Sequence, residues 1–314
     1  MLVNRRAKTT ARSRECIYGM EISGTYPMLY AFFDEAGRLR RDAVSRQIDA
    51  AIASGASGIA VLGLGTEVQK LGRAERRSLV EWTIADVAGR VPVAVTIADG
   101  NVPDMIDSAR FARDAGAAWL ILQPPRPPAS GAHLIKFFGA IADSVDCPVG
   151  IQNAPEFLGL GLSPADLLAL NTAHPNVAVV KAESTALTVA GVIGELGGRM
   201  KVFNGRAGFE LLDNLRAGVD GMIPGTETID LQVGIERAMR AGNESLAEDL
   251  YRKLLPAIAF MMQGLNTFLL YGKLIAAERL GIAPSENRIP SDTATPTGIA
   301  WAKRFAAELG PLPA

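Results

Sequence analysis

The sequence holds two cysteines in 314 residues, Cys16 and Cys147, and two histidines, His133 and His174. Two thiols cannot build a disulfide framework or a Cys-rich zinc site, and they fit a reducing, cytoplasmic compartment. Both histidines would have to converge with a carboxylate to make a His-based metal centre, which disfavours metal-dependent aldol chemistry. No G-x-S-x-G elbow is present, against a Ser-His-Asp hydrolase of that type. Neither a G-x-x-x-x-G-K-[ST] loop nor a G-x-G-x-x-G turn follows the early strands, so nothing signals a nucleotide. No uncharged apolar run reaches the ~18 residues of a membrane-spanning helix. Lys plus Arg number 32 against 33 Asp plus Glu, a net charge of -1, which lacks the basic excess of a nucleic-acid binder.

Hydrophobic residues make up 48% of the chain and charged residues 21%, ample for a large core. About 150 residues per domain would suggest two domains, but a single α/β barrel reaches about 250. Short β-branched runs fall at Thr25–Phe33, Gly58–Leu62, Val91–Ile97, Trp119–Gln123, Pro148–Asn153, Val177–Glu183, Lys201–Asn204 and Gly221–Pro224. Between them Asp42–Ala53, Arg73–Val87 and Pro103–Asp114 carry apolar residues at i, i+3, i+4 and i+7, the helical period. Ser163-Pro164 is an N-cap followed by proline at the first helical position. Eight strand–helix units predict a (β/α)8 TIM barrel over residues 19–240. An open doubly wound sheet would favour a glycine-rich phosphate loop after its first strand. Ser245–Gln263, Leu265–Leu280 and Thr297–Leu309 predict a C-terminal helical extension over residues 241–314. Residues 1–18 set Arg5, Arg6, Lys8, Arg12 and Arg14 against Glu15 and lack an apolar stretch, which reads as a disordered tail.

In such a barrel the chemistry sits at the C-terminal ends of the strands. One end carries an unusual residue: Val177-Ala178-Val179-Val180 is apolar and then meets Lys181. Alternation along a strand puts Val177, Val179, Lys181 and Glu183 in one row. If that row faces the barrel axis, the apolar interior favours a neutral amine, the form that attacks a ketone to make a Schiff base. A strand-end lysine snorkelling to solvent and paired with Glu183 is the plainer alternative. Gly63-Leu64-Gly65-Thr66-Glu67 is a candidate carboxylate cradle, because glycines let backbone N–H groups approach a ligand.

Several segments together resemble the dihydrodipicolinate synthase / N-acetylneuraminate lyase family. Gly63, Glu67, Leu71 and Glu75-Arg76 fit its G-x-x-G-E-x-x-x-L-x-x-x-E-R stretch. Val91-Pro92-Val93, Ala115-Gly116-Ala117 and Tyr271-Gly272-Lys273-Leu274 through Gly281 also resemble family segments, and the strand-six lysine falls on Lys181. There are departures. Gln152-Asn153-Ala154-Pro155 stands where the family has Tyr-Asn-x-Pro, Pro124-Pro125-Arg126 where it has Pro-Tyr-Tyr, Phe157 at an arginine, and Leu64-Gly65 at Thr-Thr. Gln152-Asn153-Ala154-Pro155 and Lys181-Ala182-Glu183 are more similar to the branch that includes L-2-keto-3-deoxyarabonate dehydratase.

The resemblance implies a Schiff-base lyase on a short 2-oxo acid, with dehydration of a 2-keto-3-deoxy sugar acid favoured. Lys181 would form the imine and Glu183 would be the acid/base. Gly65 and Thr66 would take the carboxylate, and Gln152, Asn153, Asn204 and Gly225 the sugar end. A pyruvate-dependent aldolase or synthase-type condensation is the alternative within the class, and a non-catalytic keto-acid binder the alternative outside it. The resemblance further implies a homotetramer, or at least a dimer, and nothing in the sequence indicates a cofactor or metal. No nucleic-acid or membrane partner is expected.

Overall fold

The computed structural model describes residues 21–125, 129–283, 288 and 291–313. The basic N-terminal segment, Arg126, Pro284 and Pro290 lie outside the described residues.

Eight parallel strands form the sheet: β1 (Gly24–Thr25), β2 (Ile59–Val61), β3 (Val93–Ile97), β4 (Trp119–Leu122), β5 (Val149–Asn153), β6 (Val177–Ala182), β7 (Lys201–Asn204) and β8 (Gly221–Met222). Their order, β1-β8-β7-β6-β5-β4-β3-β2, is that of a TIM barrel. The seam between β1 and β2 closes beyond the first strand. Met28 bridges both Ala60 and Gly225, and the Leu29 N–H donates to the Ala60 carbonyl at 2.9 Å. The long first strand predicted over Thr25–Phe33 is therefore broken. Pro27 has no N–H, so the ladder skips it and resumes through Met28.

Crossover helices cover the outside: α1 (Arg41–Ser54), α2 (Arg73–Val87), α3 (Val102–Ala115) and α4 (Gly131–Ala142), then, after the short α5 (Pro155–Leu158) in the loop at the barrel mouth, α6 (Pro164–Ala173), α7 (Ala186–Leu196), α8 (Leu211–Ala217) and α9 (Ile229–Arg240). The predicted cap is formed. The Ser163 hydroxyl accepts the Asp166 N–H at 3.2 Å, and the Asp166 carboxylate accepts the Ser163 N–H, a reciprocal capping box.

The barrel interior is a separate apolar cluster of Ile22, Tyr26, Met28, Ala60, Ala94, Trp119, Ile121, Val179, Phe203 and Ile223. Tyr26, Trp119 and Phe203 meet there with ring centroids 5.5–5.8 Å apart, a contact geometry favourable to aromatic pairs. Large rings on some strands require small residues on others. A Cβ on Gly221 would lie 2.3 Å from the Phe203 ring.

One strand departs from simple alternation. β5 pairs Val149 with Val177 but Gly150 with Val179, so β6 has an extra residue, Ala178. The bulge reverses facing below it. Val177 joins the outer core, while Val179 belongs to the interior cluster. The expectation that Val177 shares a face with Lys181 is corrected accordingly.

Beyond α9 come α10 (Glu244–Met261), α11 (Leu265–Thr267), a π-helical turn at Phe268–Gly272, α12 (Lys273–Leu280) and α13 (Pro296–Leu309). The continuous helix predicted over Leu265–Leu280 is thus three pieces with a widened turn. Arg279 ties this extension to the barrel. Its guanidinium reaches Asp230 at 2.7 Å and the carbonyls of Glu227 and Gly310 at 2.6 Å. Among the described residues, no single helix is long and apolar enough to cross a membrane.

Candidate active site

β5, β6 and β7 are in register at the level that matters: Gln152 beside Lys181, and Lys181 beside Phe203. Neighbours in a parallel ladder point the same way, so these three side chains face the barrel axis above the Val179 layer. Lys181 and Glu183 are buried, with 5% and 8% of their side-chain surfaces exposed. Lys181 Nζ lies 3.0 Å from Glu183 Oε1, and Gln152 Nε2 donates to Glu183 Oε2 at 2.6 Å. The carboxylate is therefore held at both oxygens, with its charge against the amine.

Gly205 makes room for that arrangement. A Cβ there would lie 2.4 Å from Glu183 Oε1. The Asn204 amide donates to the Ala182 carbonyl at 3.0 Å and fixes the end of β6.

Lys181 and Glu183 open into a cavity at the C-terminal mouth of the barrel. Gly65, Leu64 and Met28 wall one side, and Gly225, Pro224 and Ile223 another. Phe157 of α5 and Arg206 close the far end, with Met262, Leu265 and Phe268 of the C-terminal extension above. A mostly apolar wall with few polar groups suits a short organic acid.

The predicted site residues divide. Lys181, Glu183, Gly65 and Gly225 line the cavity, and Gln152 stands behind Glu183. Three others spend their polar atoms on the scaffold, against their predicted ligand contacts. The Thr66 hydroxyl donates to the Leu29 carbonyl at 2.6 Å, and its N–H to Gly63 at 3.1 Å. The Asn153 amide clasps Leu162, donating to its carbonyl at 3.0 Å and accepting its N–H at 2.7 Å. The Asn204 amide is committed to β6 as described. A polar residue at a strand end can serve backbone as readily as ligand, and here the backbone claims these three. In the Gly63–Glu67 turn it is the Leu64 and Gly65 N–H groups that have no partner among the described residues.

Sequence reasoning passed over Arg206, two residues beyond the end of β7. Arg206 and Ala207 both adopt left-handed backbone, with φ of 51° and 52°. For non-glycine residues that conformation costs about 1–2 kcal/mol each, strain of a kind concentrated at functional sites. The guanidinium donates to Glu210 at 2.8 Å and approaches Glu156 at 3.8 Å.

Two further ionisable groups lie just behind the cavity wall. Tyr30 donates its hydroxyl to Glu227 Oε2 at 2.8 Å, directly behind Gly225. Burial pushes the Glu227 carboxyl up to about 7 and the Tyr30 phenol well above its ordinary range, the latter helped by Glu227. Close to Tyr30, whose phenol also feels the charge of Glu67, the Lys273 ammonium contacts Glu67, which also holds Lys70 at 2.6 Å. Burial lowers Lys273 while Glu67 opposes the shift. Among the described residues, no three His, Cys, Asp or Glu side chains are grouped to hold a metal ion.

The fold and site thus combine a closed parallel barrel with a buried lysine–carboxylate pair at the floor of its mouth, an arrangement able to present an amine to a carbonyl compound. Residues 21–295 match the dihydrodipicolinate synthetase family, and the chain belongs to that family. The chain is 31% identical over 281 residues to the 4-hydroxy-tetrahydrodipicolinate synthase of Methanospirillum hungatei, covering 87% of this chain and 94% of that one. It is 29% identical over 247 residues to the "Probable 2-dehydro-3-deoxy-D-pentonate aldolase YjhH" of Escherichia coli K12, covering 76% and 82%. Among solved structures, YagE from E. coli K12, a prophage protein of the dihydrodipicolinic acid synthase family crystallised with pyruvate, superposes with a TM-score of 0.84. That match has 26% identity and covers 92% of this chain and 99% of that one. The protein is an enzyme of the lyase and aldolase class that this family comprises.

Proposed function

We propose that the protein dehydrates a 2-keto-3-deoxy sugar acid through an imine on Lys181. The observation that carries this is the Glu183 carboxylate, 3.0 Å from Lys181 Nζ and braced by Gln152. Lys181 attacks the C2 carbonyl as a neutral amine, and loss of water leaves a protonated imine, which acidifies C3. Glu183 takes the C3 proton to give an enamine. The same carboxyl then protonates the C4 hydroxyl, which leaves as water. Water at C2 hydrolyses the imine and restores the amine, so the net change is loss of one water from the substrate. Gln152 cannot ionise at neutral pH, so it braces Glu183 and carries no proton. The substrate carboxylate lies against the unpartnered Leu64 and Gly65 N–H groups.

Aldol cleavage is the competing reading, favoured by the name of YjhH and by the pyruvate in YagE. The two part on products. Incubation with 2-keto-3-deoxypentonate, followed by NMR, should yield a dehydrated product and no pyruvate. Release of pyruvate would make the protein an aldolase, and an unchanged substrate that is nevertheless trapped as an imine would make it a binder. A dimer or tetramer and a cytoplasmic location belong to the same proposal, and sedimentation velocity tests the assembly.

A further inference from the structure

Tyr30 and Glu227 are wholly buried, and the Tyr30 hydroxyl donates to Glu227 Oε2 at 2.8 Å. The Thr228 hydroxyl lies 3.5 Å from Oε1. Among the described residues, no cation is paired with this carboxyl. Arg279 of α12 donates to the Glu227 backbone carbonyl, and its guanidinium is taken up by Asp230 of α9 at 2.7 and 3.0 Å. Lys70 and Lys273 are both held by Glu67, whose charge bears on the Tyr30 phenol. A carboxyl buried without a cation favours its neutral form, and burial raises Glu227 to about 7.

Two glycines set this pair against the candidate site. A Cβ on Gly225, in the cavity wall, would lie 2.0 Å from Glu227 Oε2 and 2.8 Å from the Tyr30 hydroxyl. A Cβ on Gly272, in the π-helical turn, would lie 2.7 Å from the same hydroxyl. Two short paths of contact then lead to the turn at Gly65. Gly225 bridges to Met28, whose Cγ is 3.2 Å from the position of a Gly65 Cβ. The Tyr30 ring meets Phe268 with centroids 5.7 Å apart, and Phe268 is 3.7 Å from that same position.

A 2-oxo acid brings its carboxylate to this turn. An ionised Glu227 would add a second negative charge one layer of side chains away, inside a buried wall where repulsion is weakly screened. We propose that a protonated Glu227 is a condition for binding the anionic 2-oxo acid: its ionisation expels the substrate carboxylate, and the Tyr30 hydroxyl sets how readily it ionises. The inference rests on the imine reading of Lys181 and on the carboxylate lying at Leu64 and Gly65. Glu227 touches no reacting atom and tunes affinity alone. The neutral form prevails below about 7 and the ionised form above it, so affinity for the anion is lost as pH rises through that value.

Imine occupancy by two ketones tests this without requiring turnover. The whole protein is trapped with cyanoborohydride over a concentration series between about pH 6 and about pH 8.5, and half-saturation is read by intact mass. Pyruvate carries a carboxylate, and hydroxyacetone forms the same kind of imine without one. The ratio of the two half-saturating concentrations cancels the titration of Lys181 and any general loosening of the fold. In the wild type that ratio should rise about tenfold across the range. Glu227→Gln still accepts from Tyr30 but cannot ionise, so its ratio should stay flat. Tyr30→Phe keeps the ring on Phe268 and removes a donor to the ionised carboxylate, so the rise should move to higher pH. A flat ratio in the wild type would overturn the proposal. So would the same rise in Glu227→Gln, or a rise in Tyr30→Phe that is unmoved or displaced to lower pH. Should Glu227→Gln not fold, the direction of the Tyr30→Phe shift decides alone. Failure of both ketones to trap would remove the imine reading, and this inference with it.

Discussion

Gly205 faces the Glu183 carboxylate so closely that a Cβ added to it would sit 2.4 Å from Oε1. That Cβ would also lie 3.0 Å from Glu183 Cγ and 3.1 Å from its Cδ, so the carboxylate as a whole would have to move. Gly205→Ala should therefore push the carboxylate off Lys181. Misplacement of a reacting group by about 1 Å can cost on the order of 10²-fold in rate. We expect kcat to fall on that scale or further, and steady-state kinetics check it.

Glu183→Gln keeps the shape of the side chain and removes its ability to take a proton. Loss of a general acid/base costs about 10²–10⁴-fold. Turnover of a 2-keto-3-deoxy acid should drop by that factor while borohydride still traps pyruvate on the protein. Loss of trapping and turnover in equal measure would show that Glu183 serves imine formation instead of the proton transfer at C3.

Asn153 secures the loop that carries Phe157 over the cavity, through both hydrogen bonds to Leu162. Asn153→Ala leaves a backbone donor and acceptor without partners. Unsatisfied groups of this kind cost about 1–3 kcal/mol. Denaturant unfolding should show a loss in that range, and KM should rise more than kcat falls if the residue acts only through the loop.

Glu227 gives the fold a pH dependence of unusual sign. Its carboxyl is raised to about 7 in the folded protein by burial, against an ordinary value of 4.5. Between those two values the folded state holds a proton that the unfolded state has released, so stability falls as pH rises from about 4.5 to about 7. A shift of this size corresponds to about 3 kcal/mol. Glu227→Gln, which still accepts from Tyr30, should flatten the pH dependence in that window. Urea midpoints at pH 5 and pH 7 for both proteins give the comparison.

Strand and helix periodicity was enough to read the barrel, because each βα unit is a local pattern of apolar residues. The lysine on β6 was legible for the same reason: a cation at the end of Val177–Val180 stands out in one strand. What the sequence hides is competition for hydrogen bonds. Thr66, Asn153 and Asn204 have the chemistry of ligands, yet Leu29, Leu162 and Ala182 claim them through contacts spanning 9 to 37 residues. The bulge at Ala178 was equally invisible, because it is a property of the β5–β6 pairing and not of either strand alone. Met262, Leu265 and Phe268 reach the cavity only because the C-terminal extension folds back over the barrel mouth, a docking that no local pattern encodes.

The central claim is that the Lys181 amine is the nucleophile, and peptide mapping after borohydride reduction with pyruvate tests it most directly. The account predicts a single reduced pyruvate adduct on the peptide carrying Lys181, and none in Lys181→Ala. An adduct on another lysine, Lys273 included, or an unmodified Lys181 peptide at saturating pyruvate, would contradict it.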